Sequence, residues 1–346
     1  MVKITLTIGI DIGGYLKFTC DDQKVAFPSI IGAPLEGWEG FATDKSWINN
    51  LVLIDEKKEY YIGELARLQS DIKHFIMDQG RLDKIDDVFK LIKAGIPLIS
   101  KMDGEEIVLG IGVPLSTSID KMKELSGKLK GEISIKIKNE TTKEILTIHK
   151  VIKKVMVMPE AFGTYYYHVH KYHNLKAINA LVISLDLLTE IMTIFEGRII
   201  KNASANLTDA SLFVLANKIC QSLQQHTNQI IKPLSIIKNL KEKNDDIVIA
   251  GKRYNISDVK EHFIRQISQE IVDSIRKILN FLPPDAEIEY YIITGEAVPI
   301  FWNEIEMLIL TNNLIEDLDR IIVVEDHIFS NAVGFELMAK KKIETE

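Results

Sequence analysis

One strand pattern occurs twice in this chain, and it constrains the possible fold more than any other feature of the sequence. Each copy consists of a strand, an aspartate, a second strand, a polar turn and a third strand. The aspartates are Asp11 and Asp186. The strands are 4–10, 15–20 and 24–30 in the first copy and 177–185, 189–196 and 198–204 in the second. Short β-rich runs joined by tight turns predict antiparallel meanders, and their repetition predicts two similar halves.

The composition fits a globular protein that needs neither metal nor disulfides to fold. The chain has 346 residues, of which 46% are hydrophobic and 26% are charged, so disordered and collagen-like chains are excluded. The length predicts about two domains. The two cysteines, Cys20 and Cys220, lack the spacing of a zinc site and suggest a reducing compartment.

Charge and hydropathy narrow the classes of partner. The formal net charge is −7, which argues against direct binding to nucleic acid or to an anionic membrane. No apolar run reaches the length of a transmembrane helix, and the N-terminal run ends too early, at Asp11, for a signal peptide. The sequence therefore predicts a cytoplasmic protein.

The rest of the chain alternates strands and helices, which predicts an α/β fold made of two βββ-αβα-type halves with insertions. The predicted helices are 83–92, 118–129 (capped by Ser116 or Thr117), 160–170, 209–225, 233–243, 258–282, 298–310 and 330–342. The further predicted strands are 60–63, 108–114, 132–137, 144–151, 153–159, 289–295 and 320–325, and 245–256 is a predicted hairpin. No linker rich in Gly, Ser or Pro separates the halves, so we expect them to share a cleft.

The first loop has residues suited to a phosphate and its metal ion. Asp11 ends a strand, Gly13 and Gly14 follow, and Lys17 comes three residues later. Glycines allow backbone amides to approach a phosphate, a lysine supplies a positive charge, and an aspartate can bind hydrated Mg²⁺. The alternative is an ordinary β-turn. Asp186 stands after the corresponding strand of the second copy, where it is either a second carboxylate for the metal or a simple turn residue.

Two strand–helix junctions are further candidates. Glu160 follows Pro159 at the start of a helix, where a carboxylate can position or deprotonate an attacking water. It is equally an acid stabilised by the helix dipole. Gly295 and Glu296 follow a strand and precede a helix, which suits the sugar or phosphate of a nucleotide or an ordinary turn. By contrast, His168, His170 and His173 do not share one helical face, which argues against a metal site.

Together these segments resemble the actin-like ATPase superfamily, and most closely the ParM and Alp-type proteins of bacterial plasmid segregation and their archaeal relatives. The resemblance rests on the order and spacing of six segments along nearly the whole chain. They are GIDIGGYLKF (9–18), KVAFPSIIG (24–32), LGIGVPLS (109–116), MPEAFG (158–163), YYIITGEA (290–297) and FSNAVGFELM (329–338).

The resemblance implies duplicated actin and ribonuclease-H-like domains around a nucleotide cleft. Domain I would be 1–174 with an inserted subdomain at about 31–105. Domain II would be 175–346 with an insertion at about 207–286, and the closing helix 330–342 would pack back on domain I. ATP or GTP would bind with Mg²⁺, and Asp11 and Asp186 would hold the metal through water.

The resemblance also implies roles for individual residues. The catalytic residues would be Glu160, Asp11 and Asp186. The nucleotide-binding residues would be Gly13, Gly14, Lys17, Thr189, Lys238, Lys241, Gly295 and Glu296, with Lys238 and Lys241 near the base or ribose.

Three departures from the family pattern bear on nucleotide binding. Lys17 is one residue closer to Asp11 than is usual, Leu187 and Leu188 replace a glycine-containing loop, and Glu296 follows Gly295 where further glycines are expected. A leucine side chain fills space that a phosphate loop leaves open. We therefore expect weakened or reshaped nucleotide handling compared with the family.

Three functions remain open from the sequence. The first is an actin-like filament protein that hydrolyses ATP slowly, serves plasmid segregation, and has itself and a DNA-bound adaptor as partners. The second is a degenerate actin-fold scaffold with little or no hydrolysis. The third is a small-molecule kinase of the same superfamily, for which the sequence contains no clear sugar-binding motif.

Overall fold

The computed structural model describes residues 5–35, 44–77, 82, 84–283, 286–315 and 317–345. The chain forms two compact units. Unit 1 comprises Met1–Lys176 together with Phe329–Glu346, and unit 2 comprises Ala177–Ile328.

Strands and helices follow one another along both units. The strands of the described residues are β1 Thr5–Ile12, β2 Tyr15–Cys20, β3 Gln23–Pro28, β4 Ile30–Gly32, β5 Leu51–Asp55, β6 Lys58–Ile62, β7 Lys73–Phe75, β8 Glu105–Val113, β9 Gly131–Asn139, β10 Ile145–Pro159, β11 Ala180–Leu185, β12 Thr189–Phe195, β13 Arg198–Ile199, β14 Ala205–Leu207, β15 Asp246–Ile249, β16 Lys252–Asn255, β17 Tyr290–Thr294 and β18 Ile321–Val323. The helices are α1 Glu64–Gln69, α2 Ile85–Ile99, α3 Ile119–Leu129, α4 Ala161–Tyr172, α5 Leu212–Thr227, α6 Pro233–Lys241, α7 Ser257–Asn280, α8 Val298–Thr311 and α9 Ser330–Glu344. Among them, none combines the length and the hydropathy that crossing a bilayer requires.

The two units repeat one strand order. In unit 1 the described strands form a mixed sheet in the order β3-β2-β1-β8-β10-β9-β5-β6-β4-β7. Unit 2 has the order β13-β12-β11-β17-β18, with β14 beside β12. In each, an antiparallel hairpin leads into two parallel strands, β8 and β10 or β17 and β18. The duplication predicted from the sequence is confirmed, and the α/β class with it.

Several element boundaries differ from the prediction. The strands predicted at 144–151 and 153–159 are one strand, β10, whose register shifts between Ile152 and Lys154. The third strand of the first copy breaks at Ser29 into β3 and β4, and that of the second copy shortens to β13 before a 3₁₀ turn, Lys201–Ala203. Short β5, β7 and α1 were not predicted. Ile4 and Asp83, the first residues of two predicted elements, lie outside the described residues.

The cap of α3 also differs from the prediction. Neither Ser116 nor Thr117 caps the helix; instead the Ser118 hydroxyl accepts a hydrogen bond from the Lys121 N–H at 3.3 Å. Ser118 has the extended backbone that a residue at this position requires.

Helix α9 returns to unit 1 and packs on β1, β8 and α4. The approach to α4 is close because both helices have a glycine at the contact. A Cβ on Gly334 would lie 1.8 Å from the Gly163 carbonyl oxygen, and one on Gly163 would lie 2.3 Å from the Asn331 carbonyl oxygen. Two helix backbones can therefore touch here, which brings the side chains at the start of α9 against those at the start of α4.

Candidate functional site

The β1–β2 hairpin places Asp11 and Lys17 opposite each other. They are directly paired in the antiparallel register, so their side chains lie on the same face. Lys17 Nζ donates a hydrogen bond to Asp11 Oδ2 at 3.1 Å, and the two side chains are 2% and 0% exposed. Asp11 belongs to β1 itself, whereas the sequence suggested that the turn begins there.

Gly13 and Gly14 form the turn between these two strands. Ser29 fixes the turn from the side, because its hydroxyl donates to the Gly13 carbonyl at 2.6 Å and its N–H donates to the Gly14 carbonyl at 3.0 Å. A Cβ on Gly13 would make only an ordinary contact, 3.7 Å from the Tyr15 carbonyl oxygen. Packing within the hairpin therefore does not require a glycine at position 13, and close approach by a ligand is a reason for one.

Glu160 lies between β10 and α4, and the sheet brings it to the same edge as Asp11. Asp11 pairs with Gly112 of β8, and Gly112 pairs with Met158 of β10. The Glu160 N–H donates to the carbonyl of Val113, the last residue of β8, at 2.8 Å. Because these strands are parallel, their carboxyl ends meet at one edge, which is where α/β sheets bind ligands.

Unit 1 thus brings together three of the residues predicted from the sequence, Asp11, Lys17 and Glu160. All three are buried, and one carboxylate oxygen of Asp11 lies within 4.8 Å of one of Glu160. Two carboxylates and one ammonium at the carboxyl edge of a parallel sheet can bind a hydrated cation, orient a water molecule and neutralise an anionic ligand.

Asn331 is a site residue that the sequence analysis missed. Its side-chain amide donates from Nδ2 to Glu160 Oε1 at 3.3 Å, although the two residues are 171 positions apart. Its Oδ1 accepts from the Thr164 hydroxyl at 2.6 Å and from the Thr164 N–H at 3.2 Å. The motif FSNAVGFELM marked this helix, but nothing in the sequence pattern pointed to a contact with Glu160.

The hairpin of unit 2 does not place Asp186 where the hairpin of unit 1 places Asp11. The last paired residues are Ile12 and Leu16 in unit 1 and Leu185 and Thr189 in unit 2. Three residues lie between these paired residues in each hairpin, so Asp186 occupies the place of Gly13. The residue of unit 2 that corresponds to Asp11 is Ser184, because Ser184 is paired with Glu190 as Asp11 is paired with Lys17. In the register, Asp186 therefore lies two positions beyond the residue that corresponds to Asp11.

The turn of unit 2 is filled by its own side chains. Leu187 is buried, and its carbonyl accepts the Phe213 N–H from the first turn of α5 at 3.1 Å. The Asp186 N–H donates to the Leu188 carbonyl at 3.1 Å. Thr189, predicted to bind the nucleotide, is fully buried at the start of β12.

Gly295 lies where β17 turns into α8, and its conformation requires glycine. Its φ is +105°, and a Cβ would lie 2.2 Å from the Leu185 carbonyl oxygen. The loop is fixed on both sides, since the Gly295 N–H donates to the His327 carbonyl at 2.9 Å and the Ala297 N–H donates to the Leu185 carbonyl at 2.8 Å. The Gly295 loop and the β11–β12 turn therefore pack together within unit 2.

Glu296, next in this loop, forms an ion pair with Lys241 of α6. The Lys241 Nζ to Glu296 Oε2 distance is 2.6 Å, and the side chains are 25% and 4% exposed. The other oxygen, Oε1, is buried and accepts no hydrogen bond among the described residues. Lys238, one turn earlier on α6, is exposed, and its Nζ lies 3.8 Å from Glu242 Oε1. The structure therefore associates Lys241, but not Lys238, with the Gly295 loop.

Two of the histidines at the end of α4 meet although they do not share a helical face. His173 follows the last helical residue, and its Nε2 lies 3.3 Å from the Nε2 of His168. Burial above all, together with the neighbouring His173 and Lys171, lowers the pKa of His168 to about 4. His168 is therefore neutral at physiological pH.

Comparison with known proteins identifies the same fold. Residues 9–163 match the family described as the N-terminal domain of actin-like proteins. No curated protein sequence matches the chain significantly. The ParM of a 15-stranded filament from Clostridium botulinum has 19% identity and a TM-score of 0.76, covering 97% of this chain and 99% of its own.

Two further solved structures extend the comparison. Ta0583, an archaeal actin homolog, has 18% identity and a TM-score of 0.76, covering 97% of this chain and 100% of its own. The ParM of Bacillus thuringiensis, solved with ATP, has 13% identity and a TM-score of 0.67, covering 98% of this chain and 99% of its own. The resemblance inferred from the sequence is therefore confirmed for the fold.

Proposed function

We propose that this chain assembles into filaments, binds a nucleoside triphosphate with Mg²⁺ and hydrolyses it slowly. Support comes from its actin-like fold and from the match of residues 9–163 to the N-terminal domain of actin-like proteins. One observation carries the proposal: Asp11, Lys17 and Glu160 meet at the carboxyl edge of the unit 1 sheet, inside the segment that matches the family.

In the proposed hydrolysis, Glu160 acts on water. Its carboxylate accepts a hydrogen bond from the attacking water, aligns it with the terminal phosphorus, and takes up the proton as the bond to the bridging oxygen breaks. Lys17 neutralises phosphate charge beside the Gly13–Gly14 turn. The backbone of Glu160 is tied to Val113, so the carboxylate starts from a fixed position.

The residues of this edge fit Mg²⁺. Asp11 and Glu160 offer carboxylate oxygens within 4.8 Å of one another, and oxygen is the ligand atom that Mg²⁺ prefers. Asp11 Oδ2 already accepts a hydrogen bond from Lys17. We therefore propose that Asp11 contacts the Mg²⁺ ion through one of the water molecules that the ion retains. The ion would supply charge neutralisation at the phosphates. For Asp186 the same role is proposed from the sequence pattern, and its place in the turn of unit 2 differs from that of Asp11 in β1.

For the nucleoside we propose the Gly295 loop of unit 2, with Glu296 and Lys241. This loop lies at the start of α8, and its Glu296 forms an ion pair with Lys241 of α6. Two similar structures were solved with adenine nucleotides, Ta0583 with ADP and the ParM of B. thuringiensis with ATP. Thr189 and Lys238 remain sequence-based proposals. Subunit contacts would come from segments 31–105 and 207–286. A DNA-bound adaptor in plasmid segregation is the partner that a ParM-type filament would serve.

A second function, a scaffold with little hydrolysis, is favoured by the second hairpin. Leu187 is buried, and the Asp186 N–H already donates to the Leu188 carbonyl, so a bulky side chain stands in this turn and one of its amides is not offered to a phosphate. A protein built this way could polymerise without a nucleotide.

Sedimentation with a parallel assay of phosphate release separates the two functions. We expect the protein to pellet above a critical concentration with Mg-ATP or Mg-GTP, and E160Q to pellet while phosphate release falls about 100-fold or more. Pelleting that is independent of nucleotide would favour the scaffold. A protein that stays in the supernatant under every condition would overturn the filament proposal, and unchanged hydrolysis in E160Q or D11A would overturn the site.

A further inference from the structure

Asn331 connects the start of α9 to the start of α4 through a buried network. Its Nδ2 lies 3.3 Å from Glu160 Oε1, and its Oδ1 lies 2.6 Å from the Thr164 hydroxyl. The Thr164 hydroxyl also lies 2.7 Å from that of Ser330. All four residues are at least nine-tenths buried, so this geometry is screened from water.

The Thr164 N–H decides which way the Asn331 amide points. A backbone N–H can only donate, so the atom of Asn331 that lies 3.2 Å from it must be the carbonyl oxygen. The amide NH₂ then faces Glu160. Because an NH₂ group can only donate, the Glu160 oxygen that it meets must accept. This contact orients the Glu160 carboxylate toward the start of α9.

The backbone supports the same geometry. Gly163 and Gly334 let α4 and α9 touch, which holds Asn331 against the first turn of α4. The Glu160 N–H is bound to the Val113 carbonyl at the end of β8. Both the main chain and the side chain of Glu160 are thus held, the first by the sheet and the second by α9.

We propose that Asn331 is a positioning residue for hydrolysis: it orients the Glu160 carboxylate through the hydrogen bond from its side-chain amide. This inference rests on the proposed role of Glu160. It adds that the catalytic carboxylate of unit 1 depends on a side chain near the C-terminal end of the chain, outside the 9–163 segment that matches the family.

A double-mutant cycle on the full-length protein tests whether Asn331 acts through Glu160. We expect N331A to lower kcat about 10- to 100-fold, as loss of alignment does, while the Kd for Mg-ATP measured at equilibrium stays within about twofold. E160Q should lower kcat further. The double variant E160Q/N331A should match E160Q within about twofold, because residues that act as one unit are not additive.

A second pair of variants tests the contact itself without relying on activity. N331D has the shape of asparagine but puts a carboxylate oxygen against Glu160, so its melting temperature should fall. In E160Q/N331D the glutamine amide can donate to the new aspartate, so the melting temperature should recover while hydrolysis stays low. S330A is the matched control, since it removes one hydroxyl from the same network on the same helix. We expect it to retain turnover within about threefold.

The outcomes separate this inference from the proposed function. If E160Q hydrolyses nucleotide like the wild type, the role of Glu160 fails. If E160Q is inactive but N331A turns over normally, or the two losses multiply in the double variant, only the role of Asn331 fails. If E160Q does not restore the melting temperature of N331D, the donor–acceptor assignment is wrong. If S330A loses as much turnover as N331A, the network is structural rather than directed at Glu160.

Discussion

Lys17 Nζ lies 3.1 Å from Asp11 Oδ2, and the two residues face each other directly across the first hairpin. The sequence assigned them to different parts of a bound nucleotide, Asp11 to the metal and Lys17 to the phosphates. The structure pairs them with each other in a position where neither side chain is more than 2% exposed. As an ion pair, each side chain therefore offsets the charge of the other in a buried place.

Replacement of Lys17 by methionine tests this relationship. K17M keeps the length of the side chain but removes the cation that faces Asp11, so the free energy of unfolding should fall by about 3–5 kcal/mol. The double variant D11N/K17M should recover part of the loss, because neither residue is then charged. Urea denaturation measures both. A single variant within about 0.5 kcal/mol of the wild type would show that the pair does not stabilise the fold.

Lys241 and Glu296 should respond unequally to mutation because they are unequally exposed. K241M leaves the Glu296 carboxylate, only 4% exposed, without this cation, and should cost about 3–5 kcal/mol of unfolding free energy. E296Q keeps the shape without the charge and should cost less, since Lys241 is a quarter exposed and can be hydrated. Chemical denaturation measures the difference. Equal losses would contradict a dependence on burial.

The Glu296 side chain should also limit nucleoside binding if the Gly295 loop is the nucleoside site. E296G restores a second glycine to the loop, and we expect a lower Kd for a fluorescent ATP or GTP analogue. E296Q is the matched control, since it removes the charge and keeps the volume. A Kd that falls equally in both variants would assign the effect to charge, and an unchanged Kd in both would remove this loop from the site.

Leu187 allows a test of the altered second loop. L187G should destabilise the protein by about 2–5 kcal/mol, as loss of a buried leucine does, and yet raise the affinity for nucleotide by opening the turn. L187A is the control, because it removes the same packing but keeps a Cβ. Isothermal titration with Mg-ATP compares them. If L187G binds no better than L187A, the leucine does not obstruct a phosphate.

The sequence predicted the elements that local physics determines. The hairpin that turns at Gly13 and Gly14 was predicted because alternation and turn residues mark its two strands, although β1 continues through Asp11 to Ile12. The cap of α3 was misplaced because Ser116, Thr117 and Ser118 are chemically similar, and only the backbone conformation of Ser118 selects it. The sequence placed Asp186 at the position equivalent to Asp11, whereas the register gives it the position of Gly13. A register depends on the partner strand, which a linear pattern does not specify.

The contacts around the candidate site needed the tertiary structure. Glu160 and Asn331 are 171 positions apart, and nothing local to either residue indicates the other. The ion pair of Lys241 with Glu296 joins a helix and a loop 55 positions apart. Residue types and the ends of strands therefore suggested Asp11, Lys17 and Glu160 as candidates, whereas the contact of Asn331 with Glu160 became evident only from the packing of the helices.

His168 gives the protein a defined dependence of stability on pH. Burial lowers its pKa from 6.5 to about 4, with His173 and Lys171 as the neighbouring charges and the Tyr172 ring at 4.9 Å. Between pH 6.5 and 4 the unfolded chain binds a proton at this residue and the folded chain does not. Stability therefore falls as the pH falls through this window.

Replacement of His168 by phenylalanine should remove this dependence. The wild type should lose up to about 3 kcal/mol of unfolding free energy through this residue between pH 7 and pH 4, whereas H168F retains an aromatic ring against Tyr172 and binds no proton. Urea denaturation at pH 7, 5.5 and 4.5 gives the difference between the two proteins, in which the carboxylates common to both cancel. As the pH falls, the free energy of unfolding of H168F should rise relative to that of the wild type, because protonation of residue 168 then stabilises only the unfolded wild type. A difference in unfolding free energy that stays constant with pH would mean that His168 is protonated equally in the folded and unfolded chains. That result would contradict its burial as a neutral side chain.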